Sequence, residues 1–217
     1  MEKTGRKFRI LFSKFIEESS ASIKIAYFAI MTALSVIGNT VLEVRMFDVQ
    51  FSLTIVISVL CGIVLGGVGG FAACVLGDFI GWLINSFGQL YMPWVSLSTG
   101  MIAFISGVVF NNGDNSKLSV VYLKTAIVCV ATFLICTVAI NSTGFYFYNK
   151  NLGFSTAVMN YVDDKFGGNT SFFAYLMYRL IFKGQIWNSV ANYALLFIFL
   201  PILSKVKPLK RFFTEIL

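Results

Sequence analysis

The stretch from Phe51 to Gly77 contains no charged residue, and this absence limits most strongly what the chain can fold into. A helix needs about 20 mainly apolar residues to cross the hydrocarbon core of a bilayer. Of the 217 residues, 57% are hydrophobic and 12% are charged, whereas soluble proteins carry about 25% charged residues. A soluble fold cannot cover its surface with so few charges, so we expect an integral membrane protein.

The apolar residues form continuous blocks and lack the alternation of a transmembrane barrel, so we predict an all-α protein. Six blocks predict transmembrane helices, at residues 22–42, 50–66, 68–87, 94–111, 118–140 and 172–203. The glycine-rich sequence LGGVGG at 65–70 separates the second block from the third. One helix through both blocks would be about 57 Å long, nearly twice the thickness of the core.

The basic residues are concentrated in the two terminal segments, 1–20 and 204–217. Cytoplasmic segments of membrane proteins carry the excess of Lys and Arg, so we expect both termini in the cytoplasm. Between them, we expect residues 21–203 to form a six-helix bundle, and we predict that the chain 1–217 is a single membrane domain. The positive-inside rule explains the net charge of +7 without a nucleic-acid partner, and we predict none.

Small side chains form a stripe on the first predicted helix, at Ser22, Ala26, Ala29 and Ala33. Such stripes let helix backbones approach closely in lipid. Two interpretations stay open. The stripe packs inside this bundle, or Ala26, Ala29 and Ala33 form a docking surface for a separate membrane subunit.

Asp78 lies in the third apolar block, near the middle of the bilayer, where an ionised group is costly unless it is paired or hydrated. It either has a structural role, through hydrogen bonds or a cation on a neighbouring helix, or contacts a polar group of a substrate; proton coupling is a third interpretation. Arg179 and Lys183 on the sixth helix are candidate partners for Asp78 or for an anionic substrate. Trp187 follows at the same four-residue spacing, so we expect these three side chains on one face.

Other polar and aromatic residues gather near the outer ends of the predicted helices. We expect them to line an outward-facing site, where tryptophan rings stack on a planar group and cations bind an anion. The candidate substrate-binding residues are Asn39, Arg45, Asp78, Trp82, Tyr91, Trp94, Ser98, Asn141, Arg179, Lys183, Trp187 and Asn188.

Sequence signatures of enzymes are absent. The chain has no HExxH, GxSxG or Walker A motif, and no GxGxxG motif followed by an acidic residue. We therefore predict no catalytic residues, and we expect that this chain does not hydrolyse ATP by itself. The four cysteines show no CxxC spacing and the chain has no histidine, so we predict neither a metal site nor a cofactor.

Several segments together resemble the substrate-binding S components of energy-coupling factor (ECF) transporters, over about residues 24–203. They are AIMTA (29–33), VLGDFIGWLI on the third helix, YMPWVSLSTGMIAFISGVVF on the fourth and WNSVANYALLFIFLPIL on the sixth. The chain is most similar to the folate branch, which has a Gly-Asp pair on helix 3, a YFPGFTL-like start of helix 4 and an Asn-Thr-like pair ending helix 5. The corresponding residues here are Gly77–Asp78, YMPWVSL (91–97) and Asn141–Ser142. Trp94 and Ser142 depart from the Gly and Thr of that pattern.

The resemblance implies high-affinity vitamin capture at the outer face of a bacterial plasma membrane. It also implies docking through Ala29 and Ala33 onto a shared transmembrane subunit driven by two ATPases, and toppling that releases the vitamin inside. Folate or a related anionic planar nutrient is the favoured substrate. Riboflavin, pantothenate, cobalamin and a queuosine precursor are alternatives within the same class. A stand-alone secondary transporter and a purely structural membrane subunit are alternatives from other classes.

Overall fold

The computed structural model describes residues 10–40, 42–46, 49–86 and 90–213. The helices are α1 Lys14–Glu18, α2 Ala21–Thr40, α3 Thr54–Leu65, α4 Gly67–Ile84, α5 Pro93–Phe110, α6 Leu118–Leu152, α7 Thr156–Phe166, α8 Phe172–Phe182, α9 Gln185–Lys205 and α10 Lys207–Lys210. Strands β1 Glu43–Met46 and β2 Val49–Ser52 pair as one antiparallel hairpin. The prediction of a helical membrane protein is confirmed, with this hairpin added between α2 and α3.

Five described helices are long and apolar enough to cross a membrane, namely α2, α4, α5, α6 and α9. They correspond to the first, third, fourth, fifth and sixth predicted spans. The second predicted span, 50–66, is shorter than expected: α3 has 12 residues, about 18 Å of helix. Its first residues belong to β2 instead, because the hairpin satisfies their backbone hydrogen bonds.

The prediction of one continuous helix over 172–203 is wrong. The helix α8 ends at Phe182 and α9 begins at Gln185, with Gly184 between them at φ +67°. Glycine adopts this left-handed conformation readily and other residues do not. The break interrupts the predicted face, so Trp187 does not continue the row that begins at Arg179.

Residues 141–171, which the sequence places between the fifth and sixth predicted helices, are also mostly helical. The helix predicted for 118–140 continues to Leu152, so α6 has 35 residues and a length of about 52 Å. That is longer than a hydrocarbon core of about 30 Å. The following helix α7 covers Thr156–Phe166, so most of this segment is ordered helix.

The bundle is built around α3 and α5. Helix α5 packs against α3, α4 and α6, and α3 packs also against α2, α4 and α9. The contacts of α2 with α4 and of α6 with α9 complete the arrangement. A side chain added at Gly62 of α3 would meet the backbone of Ala103 and Gly107 on α5, so glycine is what lets these two helices approach so closely.

The main apolar core runs between these helices and reaches the segments near both chain termini. Its fully buried members include Val59, Ile63, Phe110, Leu196 and Leu200. Ile16, Phe212 and Phe213 belong to the same cluster, and the Ser13 hydroxyl donates to the Val64 carbonyl at 2.6 Å. The two described ends of the chain therefore meet at one end of the bundle, beside the α3–α4 turn.

A second, smaller apolar cluster joins α7 to α8. It contains Val158, Val162, Ala174, Tyr175 and Tyr178. Gly153 before α7 and Gly167 after it both have positive φ, at 96° and 60°. The chain turns at these glycines, so that α7 lies over α8 at the end of the bundle opposite to the chain termini.

Candidate functional site

A cavity of about 680 Å³ lies among the helix ends opposite to the chain termini. Its walls come from all the long helices together with β2, α3, α7 and α8. The volume falls within the range of about 300–1,000 Å³ that is typical of small-molecule sites. Many polar side chains line it: Asn39, Ser52, Thr54, Asp78, Asn85, Ser98, Thr99, Thr137, Asn141, Asn149, Ser155, Arg179, Lys183, Gln185 and Asn188.

Asp78 of α4 is held in this lining by neutral hydrogen-bond donors. Its Oδ1 accepts from Asn39 Nδ2 at 3.3 Å, and its Oδ2 accepts from the Ser96 hydroxyl. The Thr54 hydroxyl donates to Asn39 Oδ1 at 3.0 Å, and the Tyr91 hydroxyl lies 2.6 Å from Ser96 Oγ. The network connects α2, α3, α4 and α5. Within the described part of the chain Asp78 forms no ion pair, so neither Arg179 nor Lys183 neutralises it.

Aromatic rings flank this carboxylate. Trp82 lies one helical turn beyond Asp78 on α4 and lines the same cavity. Its ring stacks on Phe79 with centroids 6.2 Å apart and lies 5.4 Å from the Tyr91 ring. Such a cluster offers flat apolar surface next to a negative charge, which suits a planar ring with polar edges.

A buried cation forms another part of the cavity lining. Arg179 of α8 is 9% exposed, and its Nη1 donates to the Asn141 carbonyl at 3.0 Å. Its guanidinium lies 4.1 Å from the centroid of the Phe145 ring, within the range of a cation–π contact. Among the described residues no carboxylate lies within ion-pair distance of Arg179. Of the five N–H donors of this guanidinium, the described residues engage Nη1 through Asn141, and Arg179 lines the cavity.

Both partners of this arginine contact lie in unusual helix geometry. Residues Phe133–Ser142 of α6 and Tyr178–Phe182 of α8 are π-helical, a conformation that is rare and frequently found at functional sites. Asn141 and Arg179 each lie in one of these segments. The Asn141 side-chain oxygen is buried and has no donor among the described residues, although this residue lines the cavity.

Two asparagines of α9 attach the end of the hairpin to the bundle. Asn188 Oδ1 accepts from the Ser52 backbone N–H at 3.1 Å, and Asn192 Nδ2 donates to the Ser52 carbonyl at 2.7 Å. Asn192 Oδ1 also accepts from the Val56 N–H at 3.4 Å. Ser52 and Asn188 both line the cavity, so these bonds hold the end of β2 in place in the cavity wall.

The structure brings together most of the binding residues predicted from sequence. Those that line the cavity are Asn39, Asp78, Trp82, Tyr91, Ser98, Asn141, Arg179, Lys183 and Asn188. Trp94 is instead outside the lining and packs against Phe145 and Tyr148. Trp187 is 61% exposed and also outside the lining, because the break at Gly184 turns it away. Arg45 lies on β1, and its side chain is outside the described part of the structure.

Several lining residues were not identified from the sequence. Thr54, Phe145, Asn149, Tyr175 and Gln185 all contribute to the cavity, and Asn149 Nδ2 donates to the Tyr175 hydroxyl at 2.9 Å. Phe145 and Asn149 lie in the extension of α6, and Gln185 follows the break before α9. The aromatic composition of GFYFYNKNLGF (144–154) favours an ordered segment over a flexible loop. It was the feature of the sequence that could have identified Phe145 and Asn149.

The predicted stripe on α2 is accessible in this structure. Ala26, Ala29 and Ala33 are all exposed, and the large side chains beside them, Ile30 and Leu34, are 53% and 39% exposed. The opposite face of α2 packs on α4. The stripe is therefore outside the helix contacts of this bundle.

Comparisons with known proteins agree with this architecture. The sequence profile of the family described as "ECF-type riboflavin transporter, S component" matches residues 20–168. A similar solved structure is the "Crystal structure of FolT bound with folic acid", with 19% sequence identity and a TM-score of 0.51. The alignment covers 81% of this chain and 93% of FolT, and at this identity it shows a shared fold. No curated protein matches the sequence significantly. With more than half of its length matched, the chain belongs to the ECF-type riboflavin transporter S component family, a family of multi-pass membrane proteins of vitamin uptake.

Proposed function

We propose that this protein captures folate, or a closely related planar anionic vitamin, in the cavity between its helix ends. The observation that carries this proposal is the buried guanidinium of Arg179, which faces the cavity without a carboxylate partner among the described residues. An isolated buried charge is costly, and that cost is offset when an opposite charge with good geometry reaches it. Folate carries carboxylates that can bond such a guanidinium in a bidentate manner.

The rest of the lining supports a ligand with a flat ring. Trp82 and Tyr91 lie on the Asp78 side of the cavity, and Phe145 lies beside Arg179. A ring stacked on the first pair leaves an anionic tail free to reach the arginine. Lys183 also lines the cavity and adds positive potential for an anion.

Riboflavin is the second candidate, and the family profile that matches residues 20–168 is the observation in its favour. Its ring and hydroxyl chain are neutral and suit an amide-rich lining such as Asn39, Asn141, Asn149 and Asn188. A neutral ligand, however, leaves the Arg179 charge uncompensated. We therefore place riboflavin after folate.

Uptake requires a direction and an energy source. In our proposal the cavity faces outward, and the end with the chain termini faces the cytoplasm of a bacterial cell, because the basic segments 1–20 and 204–217 belong inside. The six helical segments α2, α3, α4, α5, α6 and α9 then constitute the membrane bundle. The exposed stripe Ala26, Ala29 and Ala33 docks a transmembrane coupling subunit, which two ATPase subunits drive.

Titration of the detergent-purified protein with folic acid and with riboflavin tests the substrate. Tryptophan fluorescence is a suitable signal because Trp82 lines the cavity. We expect folic acid to bind at nanomolar concentration and riboflavin much more weakly. Tight binding of riboflavin together with weak binding of folic acid would overturn the substrate while retaining the class. Binding of neither would overturn both.

A further inference from the structure

The carboxylate of Asp78 is the second charged group of the cavity that no described residue neutralises. It is carried by α4, whereas Arg179 is carried by α8, and no ion pair joins them. The site thus offers a negative group on one helix and a positive group on another. A ligand that fits both has donors at one end and an anion at the other.

We infer that Asp78 recognises the edge of the ligand's ring, and that this edge presents two adjacent N–H donors, as a 2-amino-4-oxopteridine ring does. This inference rests on the proposed function and names the chemistry by which the same site selects its ligand. It assigns the ring to the Asp78 side and the anionic tail to the Arg179 side.

The hydrogen bonds of Asp78 leave room for such an edge. An ionised carboxylate has about four acceptor positions on its two oxygens. Asn39 occupies one position on Oδ1, and Ser96 occupies one on Oδ2. Each oxygen therefore keeps a free acceptor position. Two parallel N–H groups of a ligand can donate to these two positions, in the same bidentate geometry in which a guanidinium group binds a carboxylate.

The neighbours of Asp78 fix its orientation and provide the ring surface. Thr54 donates to Asn39 Oδ1 at 3.0 Å, so the amide nitrogen of Asn39 is directed at Asp78. Trp82, one turn further along α4, and the nearby Tyr91 supply aromatic surface beside the carboxylate. An anionic tail would be repelled at this position, and a flat donor edge is attracted.

The same geometry discriminates between two classes of ring. An imide edge, as in a 2,4-dioxopteridine or a flavin, places a carbonyl on each side of a single N–H. Those carbonyls face the carboxylate oxygens and repel them. Since one hydrogen bond to a charged group contributes about 1.5–3 kcal/mol, we expect the amino-oxo ring to bind at least about tenfold more tightly.

Competition between pterin and lumazine tests this inference, since the two share the pteridine ring and the 4-oxo group and differ at position 2, where pterin has an amino group and lumazine an oxo group with N1 protonated. Each displaces folic acid from the detergent-purified full-length protein, and their inhibition constants are compared. We expect pterin to be favoured at least about tenfold in the wild type, and the ratio to fall toward one in Asp78→Asn. The matched control is Asp114→Asn, the same change at an exposed carboxylate in the loop before α6, and it should keep the wild-type ratio.

Each outcome is decisive. An equal loss of affinity for both pteridines in Asp78→Asn, with the ratio retained, would mean that Asp78 is structural; folate capture would still stand. A wild-type ratio near one would overturn the inference without any variant, even where Asp78→Asn folds poorly. If riboflavin binds and folic acid does not, the proposed substrate fails. In that case lumazine and pterin are compared as competitors of riboflavin. If lumazine is the stronger competitor, the inference about Asp78 fails as well.

Discussion

Substitution of Gly77 by alanine tests whether α2 and α4 pack as closely as described. A Cβ atom at this position would lie 2.5 Å from Ser35 Cβ, 2.6 Å from Ser35 Oγ and 3.1 Å from the Thr32 carbonyl oxygen. Carbon atoms pack favourably at about 3.5–4.0 Å, so α2 must shift by about 1 Å to accept the methyl group. Overpacking of this kind costs about 1–3 kcal/mol.

The shift also affects the candidate site, because Asn39 follows Ser35 by one turn of α2. Its 3.3 Å hydrogen bond to Asp78 is already long, and it lengthens further when α2 moves away from α4. For a chain of this size 1 kcal/mol corresponds to about 2–4 °C in Tm, so we expect Gly77→Ala to lower Tm by roughly 2–12 °C. Thermal unfolding of the purified protein measures the loss, and ligand titration should show weaker binding.

Gly81→Ala is the matched control, one turn along the same helix. A Cβ atom there would lie 3.4 Å from Thr40 Cγ2 and 3.5 Å from Asn39 Cβ, which is ordinary contact, so Tm should stay close to that of the wild type. Adding Ser35→Gly to Gly77→Ala removes the two closest clashing atoms and should recover part of the loss. If Gly77→Ala and Gly81→Ala were equally stable, the described contact between α2 and α4 would be refuted.

Three further variants test the role of Arg179, the exposed stripe on α2 and the attachment of the hairpin. Arg179→Gln should weaken folic acid binding by about 10–150-fold, the effect of losing a hydrogen bond to a charged group, and should change riboflavin binding less in the same titration. Ala29→Leu should reduce vitamin uptake by cells that contain the coupling subunits and should leave vitamin binding to the purified protein unchanged. The control Ala139→Leu, at an exposed alanine of α6, should reduce neither uptake nor binding. Asn192→Leu leaves the Ser52 carbonyl and the Val56 N–H without this partner, so Tm should fall by the equivalent of about 1–3 kcal/mol. An unchanged Tm would mean that Asn192 does not hold the hairpin.

The helical architecture could be predicted because the bilayer imposes a strong rule on sequence. A spanning segment must be apolar over about 20 residues, and the blocks that form α2, α4, α5, α6 and α9 follow this rule. The turn between α3 and α4 was also predictable from the glycines of LGGVGG at 65–70. Gly66 adopts φ +92° there. Polar residues inside such blocks are conspicuous, which is why Asp78 and Arg179 were identified.

The rest depended on interactions that a hydropathy pattern does not contain. The hairpin β1–β2 is held by Asn188 and Asn192, which are more than 130 residues away in sequence. A single glycine, Gly184, divides an apolar block that otherwise reads as one helix, and this removed Trp187 from the site. Arg179 and Asn141 lie in two π-helical segments, for which the sequence gives no clear signal.

Mass spectrometry of the small molecules released from the detergent-purified protein tests directly whether it captures a folate. A ligand with a Kd of about 1 nM stays mostly bound while the protein concentration is far above that value, so it remains with the concentrated protein. We expect a folate in near-equimolar amount, and we expect this folate to be lost from Arg179→Gln. Release of riboflavin in its place would contradict the assignment of substrate. The absence of any vitamin, together with no response to a panel of vitamins in titration, would contradict the capture function itself.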